Sequence, residues 1–140
     1  MSNERYGRGF VQELIDDGQN EEALEAAVEA LAEKPNLASA HFDHASALEA
    51  LERGAEAIPS YEAALRLNIE ERTVESFVLD DAYFSALVEA AQSLASKPEA
   101  VAMVARYRTH APSGAHLKEV PEWEARFSGH APSLLDKTKD

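Results

Sequence analysis

His41 and His44 stand three residues apart with Asp43 between them. On a helix that spacing places two imidazoles on one face, as a pair of zinc ligands would stand. A working zinc site needs three or four ligands, and no third stands nearby in the chain. The pair therefore reads as two half-buried packing positions, and a metal-dependent enzyme using His41 and His44 is the least favoured function. His110, His116 and His130 come from separate loop-like segments. The twin strings His110-Ala111-Pro112-Ser113 and His130-Ala131-Pro132-Ser133 read as chance in an Ala-containing chain. Trp123, the single tryptophan, could anchor a partner, but it reads first as packing of a C-terminal cap. There is no Gly-rich phosphate loop, HExxH pair or GxSxG elbow. Carboxylates are abundant enough to supply an acid–base pair, yet they fall at helical spacing on polar faces, as a solvated surface does. No catalytic residue, cofactor or metal is assigned, and the chain reads as a non-enzyme.

Composition states which elements must carry these residues. The 140 residues hold 26 Ala against 8 Val, 3 Ile and 3 Thr. Ala favours helix and β-branched residues favour strand, so the expected class is all-α. The length suits one domain with its own core. The net charge of -13, from 13 Lys+Arg and 26 Asp+Glu, argues against nucleic acid and anionic membrane as partners. The absence of cysteine excludes disulfides, a thiol nucleophile and Cys-ligated metal. No apolar run reaches the ~18 residues of a membrane span, and Met1-Ser2-Asn3-Glu4-Arg5 leads into no apolar h-region. A cytoplasmic protein is expected.

The chain then repeats itself. Glu22-Ala23-Leu24 and Glu56-Ala57-Ile58 lie 34 residues apart, as do Glu29-Ala30-Leu31 and Ala63-Ala64-Leu65. Phe10, Val11, Leu14 and Ile15 form one helical face, and Asp16 to Asn20 a turn with Asn20 as the expected cap. A second helix runs to about Glu33, before Pro35. Phe42, Ala45 and Leu48, then Ile58, Tyr61, Ala64 and Leu65, mark a second helix pair turned at Arg53-Gly54. Pro59 is expected in the first turn of its helix. Aligning Ala100 with Ala57 yields a third pair, with Phe84, Leu87, Val88 and Ala91 on its first helix and about nine inserted residues before it. Asp80 is the expected cap of that helix.

This pattern resembles the tetratricopeptide repeat family. Its second-helix signature is matched by Ala57-x3-Tyr61 with Ala64, and by Ala23-x3-Ala27 with Ala30 and Pro35. The first-helix signature is degenerate, with Gly7 and His41 at the Trp-type position. The resemblance implies an α-solenoid of stacked antiparallel helix pairs within a single domain, residues 1–128. Its units span about 4–37, 38–71 and 81–114, with an insertion at 72–80, a cap at 115–128 around Leu117, Val120, Trp123 and Phe127, and a flexible tail at 129–140.

The resemblance also implies a concave groove lined by first helices, suited to a peptide or helix of a protein partner. Carried over residue by residue, its positions are Arg5, Arg8, Gln12 and Asp16, then Ser39, Phe42, Ser46 and Glu49, then Ala82, Ser85, Glu89 and Gln92. Asp43, Ala82 and Ala86 depart from the carboxylate clamp of one subset, so capture of a chaperone tail is not expected. The implied function is a protein-interaction adaptor. The alternatives are a self-assembling structural repeat protein, a possible homo-oligomer, and a small acidic secretion-type chaperone.

Overall fold

A computed structural model describes residues 9–71 and 74–129. Among the described residues the chain is all-helical, with seven helices and no strand, as the composition requires. It divides into two compact units, Met1–Leu79 and Asp80–Asp140.

The first unit holds α1 (Phe10–Asp16), α2 (Asn20–Glu33), α3 (Ala38–Ala50) and α4 (Gly54–Glu71). Helix α1 packs on α2 and on α3, α2 packs on α3, and α3 packs on α4. Alanines make these approaches close. Val11, Ala23, Ala26, Ala27 and Ala47 form a buried cluster, with Phe10, Leu14, Ile15 and Leu24 against it. Among the described residues of these four helices, Ile58 and Tyr61 are the largest fully buried side chains, each contributing about 2 kcal/mol of apolar burial.

The turns follow local chemistry. Helix α2 ends at Lys34, whose N–H still reaches the Ala30 carbonyl, and Pro35 cannot continue it. Helix α3 closes with Glu52 in the left-handed region (φ 62°), and the Arg53 N–H returns to the Leu48 carbonyl at 2.8 Å. Two local expectations fail here. Asn20 is the first residue of α2 and not its cap. Its Nδ2 donates instead to the Ala50 carbonyl at 3.3 Å, tying α2 to the end of α3. Pro59 lies inside α4, beyond its first turn, because the helix starts as early as Gly54. Pro59 is exposed, so water can reach the carbonyl its ring leaves without an N–H.

Helix α5 (Ser76–Gln92) begins earlier than the sequence suggested. Asp80 is therefore its fifth residue and cannot cap it. Asn68 closes the preceding turn, its Nδ2 donating to the Val74 carbonyl at 2.9 Å and its Oδ1 accepting the Val74 N–H at 3.0 Å. Of the expected insertion at 72–80, Ser76 to Asp80 thus form the start of α5, and Arg72 and Thr73 lie outside the described residues.

The second unit adds α6 (Lys97–His110) and α7 (Val120–Phe127). Ser96 caps α6, its Oγ accepting the Glu99 N–H, and Arg108 and His110 stand in the last turn, where the helix dipole favours cations. Tyr83, Leu87, Val104, Tyr107 and Val120 are fully buried. Pro121 restarts the chain as α7 after a run of turns. Trp123 is half-buried, stacks on Phe127 at 5.6 Å and lies under the Arg126 guanidinium at 4.7 Å. Arg108 and Glu124 join α6 to α7 through paired bonds of 2.8 and 2.7 Å. Most of the expected tail lies outside the described residues.

Candidate functional site

The groove residues assigned from the resemblance divide into three groups. Arg5 and Arg8 lie outside the described residues. Gln12, Ser39, Phe42, Ser46 and Glu49 are half-buried and Asp16 is exposed, all on α1 and α3. Ser85, Glu89 and Gln92 are exposed on α5, and Ala82 is half-buried.

Helices α1 and α3 bring the second group together. Gln12 Nε2 donates to Asp43 Oδ1 at 3.0 Å, bridging the two helices. Burial pushes the Asp43 carboxyl above its ordinary range, and the Gln12 bond partly offsets this. Phe42 meets the Tyr61 ring at 6.1 Å. The Tyr61 hydroxyl donates to Glu49 and is also within reach of Ser46. Burial, reinforced by the bond to Glu49, keeps the Tyr61 phenol protonated well above its usual range. Phe42, Ser46 and Glu49 therefore present one edge outward and use the other to hold α4.

The histidine pair does not converge on a common ligand position. His41 Nε2 donates to the Pro35 carbonyl at 2.7 Å. His44 Nδ1 shares a hydrogen bond of 2.8 Å with the buried Ser60 hydroxyl. Burial holds the His44 pKa below its ordinary value, aided by the charges of His41 and Arg53 and opposed by Glu56. Both rings act as fasteners of their own helix turns and neighbours.

A cluster that the sequence reading missed lies in the second unit. Tyr107 Oη, on α6, donates to Asp80 Oδ1, on α5, at 2.5 Å. The same hydroxyl accepts the His116 N–H at 3.0 Å, and Asp80 Oδ2 accepts the Ala115 N–H at 3.0 Å. His116 Nε2 faces Asp81 Oδ1 at 2.7 Å, and its Nδ1 faces Glu119 Oε2 at 2.8 Å. Only the protonated ring can donate to both. The imidazole lies flat on Phe84, 4.5 Å away with 3° between planes. Burial works against its protonation, but bonds to Asp81 and Glu119 and the charges of Glu119 and Asp80 outweigh it, so its pKa is raised. Burial and the Asp80 bond likewise raise the Tyr107 pKa.

Gly114 completes this knot. A Cβ there would stand 2.0 Å from Tyr107 Oη and 2.7 Å from Asp80 Oδ1, so only glycine admits the hydroxyl. Asp80, Asp81 and His116 bring one possible ligand atom each within 4.8 Å of one another. That donor set could hold a cation, but its atoms already bond the Tyr107 hydroxyl, the Ala115 N–H and one another. We assign the cluster to anchoring the 111–119 turn. The signal in sequence was faint: an Asp-Asp pair, a Tyr and a Gly-Ala-His string with no common period.

No family model, curated protein or solved structure matches the chain significantly.

Proposed function

We propose that this chain is a non-enzymatic interaction module built of stacked, tetratricopeptide-like helix pairs. It binds a peptide or helix of another protein along the outward edge of α1 and α3. One observation carries the reading. The Gln12–Asp43 bond sets two first helices side by side, so Gln12, Asp16, Ser39, Phe42, Ser46 and Glu49 form a partly open row on a braced surface. A row already fastened from behind loses little side-chain freedom on binding, which favours affinity.

The test compares wild type with the variant Ser39→Glu and Phe42→Ala, shown to be helical by circular dichroism. Both are used to capture partners, and the captured protein is then titrated in purified form. Binding by the wild type that the variant weakens at least tenfold supports the reading. Equal affinity moves the binding surface off the groove.

Self-association is the second reading, favoured by exposed apolar side chains around the α4–α5 turn. Ile69 is 74% exposed and Phe77 66%. Apolar surface of this kind marks contact sites when it is contiguous. A monomeric mass by light scattering at every concentration ends this reading. A concentration-dependent mass abolished by Phe77→Glu supports it.

A further inference from the structure

His116 holds two carboxylates at once. Its Nε2 stands 2.7 Å from Asp81 Oδ1 on α5, and its Nδ1 stands 2.8 Å from Glu119 Oε2 in its own turn. A neutral imidazole carries a single N–H, so it donates to one of them and turns a lone pair toward the other. At this separation a lone pair and a carboxylate oxygen repel. The seated arrangement therefore belongs to the imidazolium, and loss of one proton must move the ring off one partner.

The surroundings favour the same charge state. The titratable groups facing the ring are Asp80 and Asp81 from α5, the Tyr107 hydroxyl from α6 and Glu119 from the turn. Among the described residues no Lys or Arg pairs with any of these three carboxylates. His116 is their shared countercharge, and its neutral form leaves them to repel one another. The ring also lies parallel on Phe84 at 4.5 Å, where an aromatic face favours a cation. Two further bonds, from the Ala115 N–H to Asp80 and from the His116 N–H to Tyr107, seat the same turn. Opening of the turn breaks both, so exchange of these amides counts every opening.

We propose that the 111–119 turn is a proton-operated latch over Phe84. With His116 charged, the turn is seated on α5 and α6 and covers the Phe84 ring. With His116 neutral, it opens more often and uncovers that ring, while α5 and α6 stay packed through the buried Tyr83, Leu87 and Val104. Seating is full below about pH 6.5, the ordinary histidine value, and weakens as pH rises through the seated value. Asp81 is 62% and Glu119 49% exposed, so water screens both pairs and the effect is a few-fold one.

The test is native-state hydrogen exchange of the full chain by NMR, from about pH 5 to about pH 8. Chelator is present throughout, so no cation competes for Asp80, Asp81 and His116. Protection of the Ala115 and His116 amides is expected to fall about threefold, with the midpoint at which the His116 imidazole itself titrates. The Val104 and Tyr107 amides of α6 are expected to stay level. Asp81→Asn is expected to remove the fall, because its amide donates to Nε2 of a neutral ring whose Nδ1–H still reaches Glu119. His116→Phe keeps a ring on Phe84 without the proton and is expected to show low protection at every pH. Constant protection of the two turn amides across the His116 titration would overturn the proposal. So would an equal fall at Val104 and Tyr107, because the event would then be global unfolding. An undiminished fall in Asp81→Asn, or no protection of the turn amides at about pH 5, also overturns it. If Asp81→Asn does not fold, the wild-type profile alone decides.

Discussion

Both compact units use a buried tyrosine that donates to a carboxylate on the neighbouring helix. In the first, Tyr61 of α4 holds Glu49 of α3. In the second, Tyr107 of α6 holds Asp80 of α5. The difference lies in what else each hydroxyl does. Tyr61 joins a helix pair, with Ser46 of the same α3 face beside it. Tyr107 also accepts the His116 N–H, and its carboxylate partner accepts the Ala115 N–H. The same chemical device therefore joins two helices in one unit and fastens a long turn in the other. The first can leave a face of α3 partly open. The second spends its polar groups on its own architecture.

The largest break of this comparison is Gly114→Ala. The methyl group would overlap the Tyr107 hydroxyl and crowd Asp80, so the turn must move and its bonds are lost. A destabilisation of about 3 kcal/mol is expected, read as a lower urea midpoint. A change near zero would mean that the turn is not held by the knot.

Removing the hydroxyls sharpens the same contrast. Tyr107→Phe leaves an Asp80 oxygen and the His116 N–H without their partner, at about 2 kcal/mol. Tyr61→Phe is expected to cost about 1 kcal/mol. Hydrogen exchange should also speed up at the His116 amide in Tyr107→Phe, with no counterpart in Tyr61→Phe. Equal destabilisation by the two variants would erase the distinction.

The histidines separate the units by sign. His116 has a raised pKa when folded. Its contribution is fully present below its unfolded value of about 6.5 and is lost as pH rises through the folded value. His44 has a lowered pKa when folded. Its contribution is present above about 6.5 and is lost as pH falls toward the folded value. Each effect should stay below about 1 kcal/mol, given the exposure of the partners. Urea midpoints from pH 5 to pH 8 should fall less steeply with rising pH in His116→Asn. In His44→Asn they should fall less steeply with falling pH. The same sign of change in both variants would contradict the assignment.

The smallest expected effect is a gain. Glu52 holds a left-handed conformation at the end of α3, which glycine adopts without strain. Glu52→Gly should raise stability by about 0.5 kcal/mol, seen as a higher thermal midpoint.

Much of the helical skeleton was legible from residue order. The alanine faces at 23, 26 and 27 and at 57 and 64 recur at helical spacing because a helix has a fixed turn. Gly18 and Arg53-Gly54 mark real turns for an equally local reason. The boundaries that failed did so through tertiary contacts. Asn20 prefers the Ala50 carbonyl to capping, and Asp80 prefers Tyr107. Of the expected groove row, Phe42 and Glu49 were visible as one face, but their hold on Tyr61 was not.

By itself, then, residue order determined the all-α class, the helix pairs of the first unit, the exclusion of thiol chemistry and the excess of negative charge. These depend on backbone propensity, local period and composition, which act along the chain. Tertiary structure alone decided that Asp80, Tyr107, Gly114 and His116 form one knot and that Gln12 of α1 bridges to Asp43 of α3. Such groupings join side chains such as Asp80 and Tyr107, which stand 27 residues apart in the chain. They depend on direction and distance in three dimensions, and a polar contact between helices leaves no period for the sequence to carry.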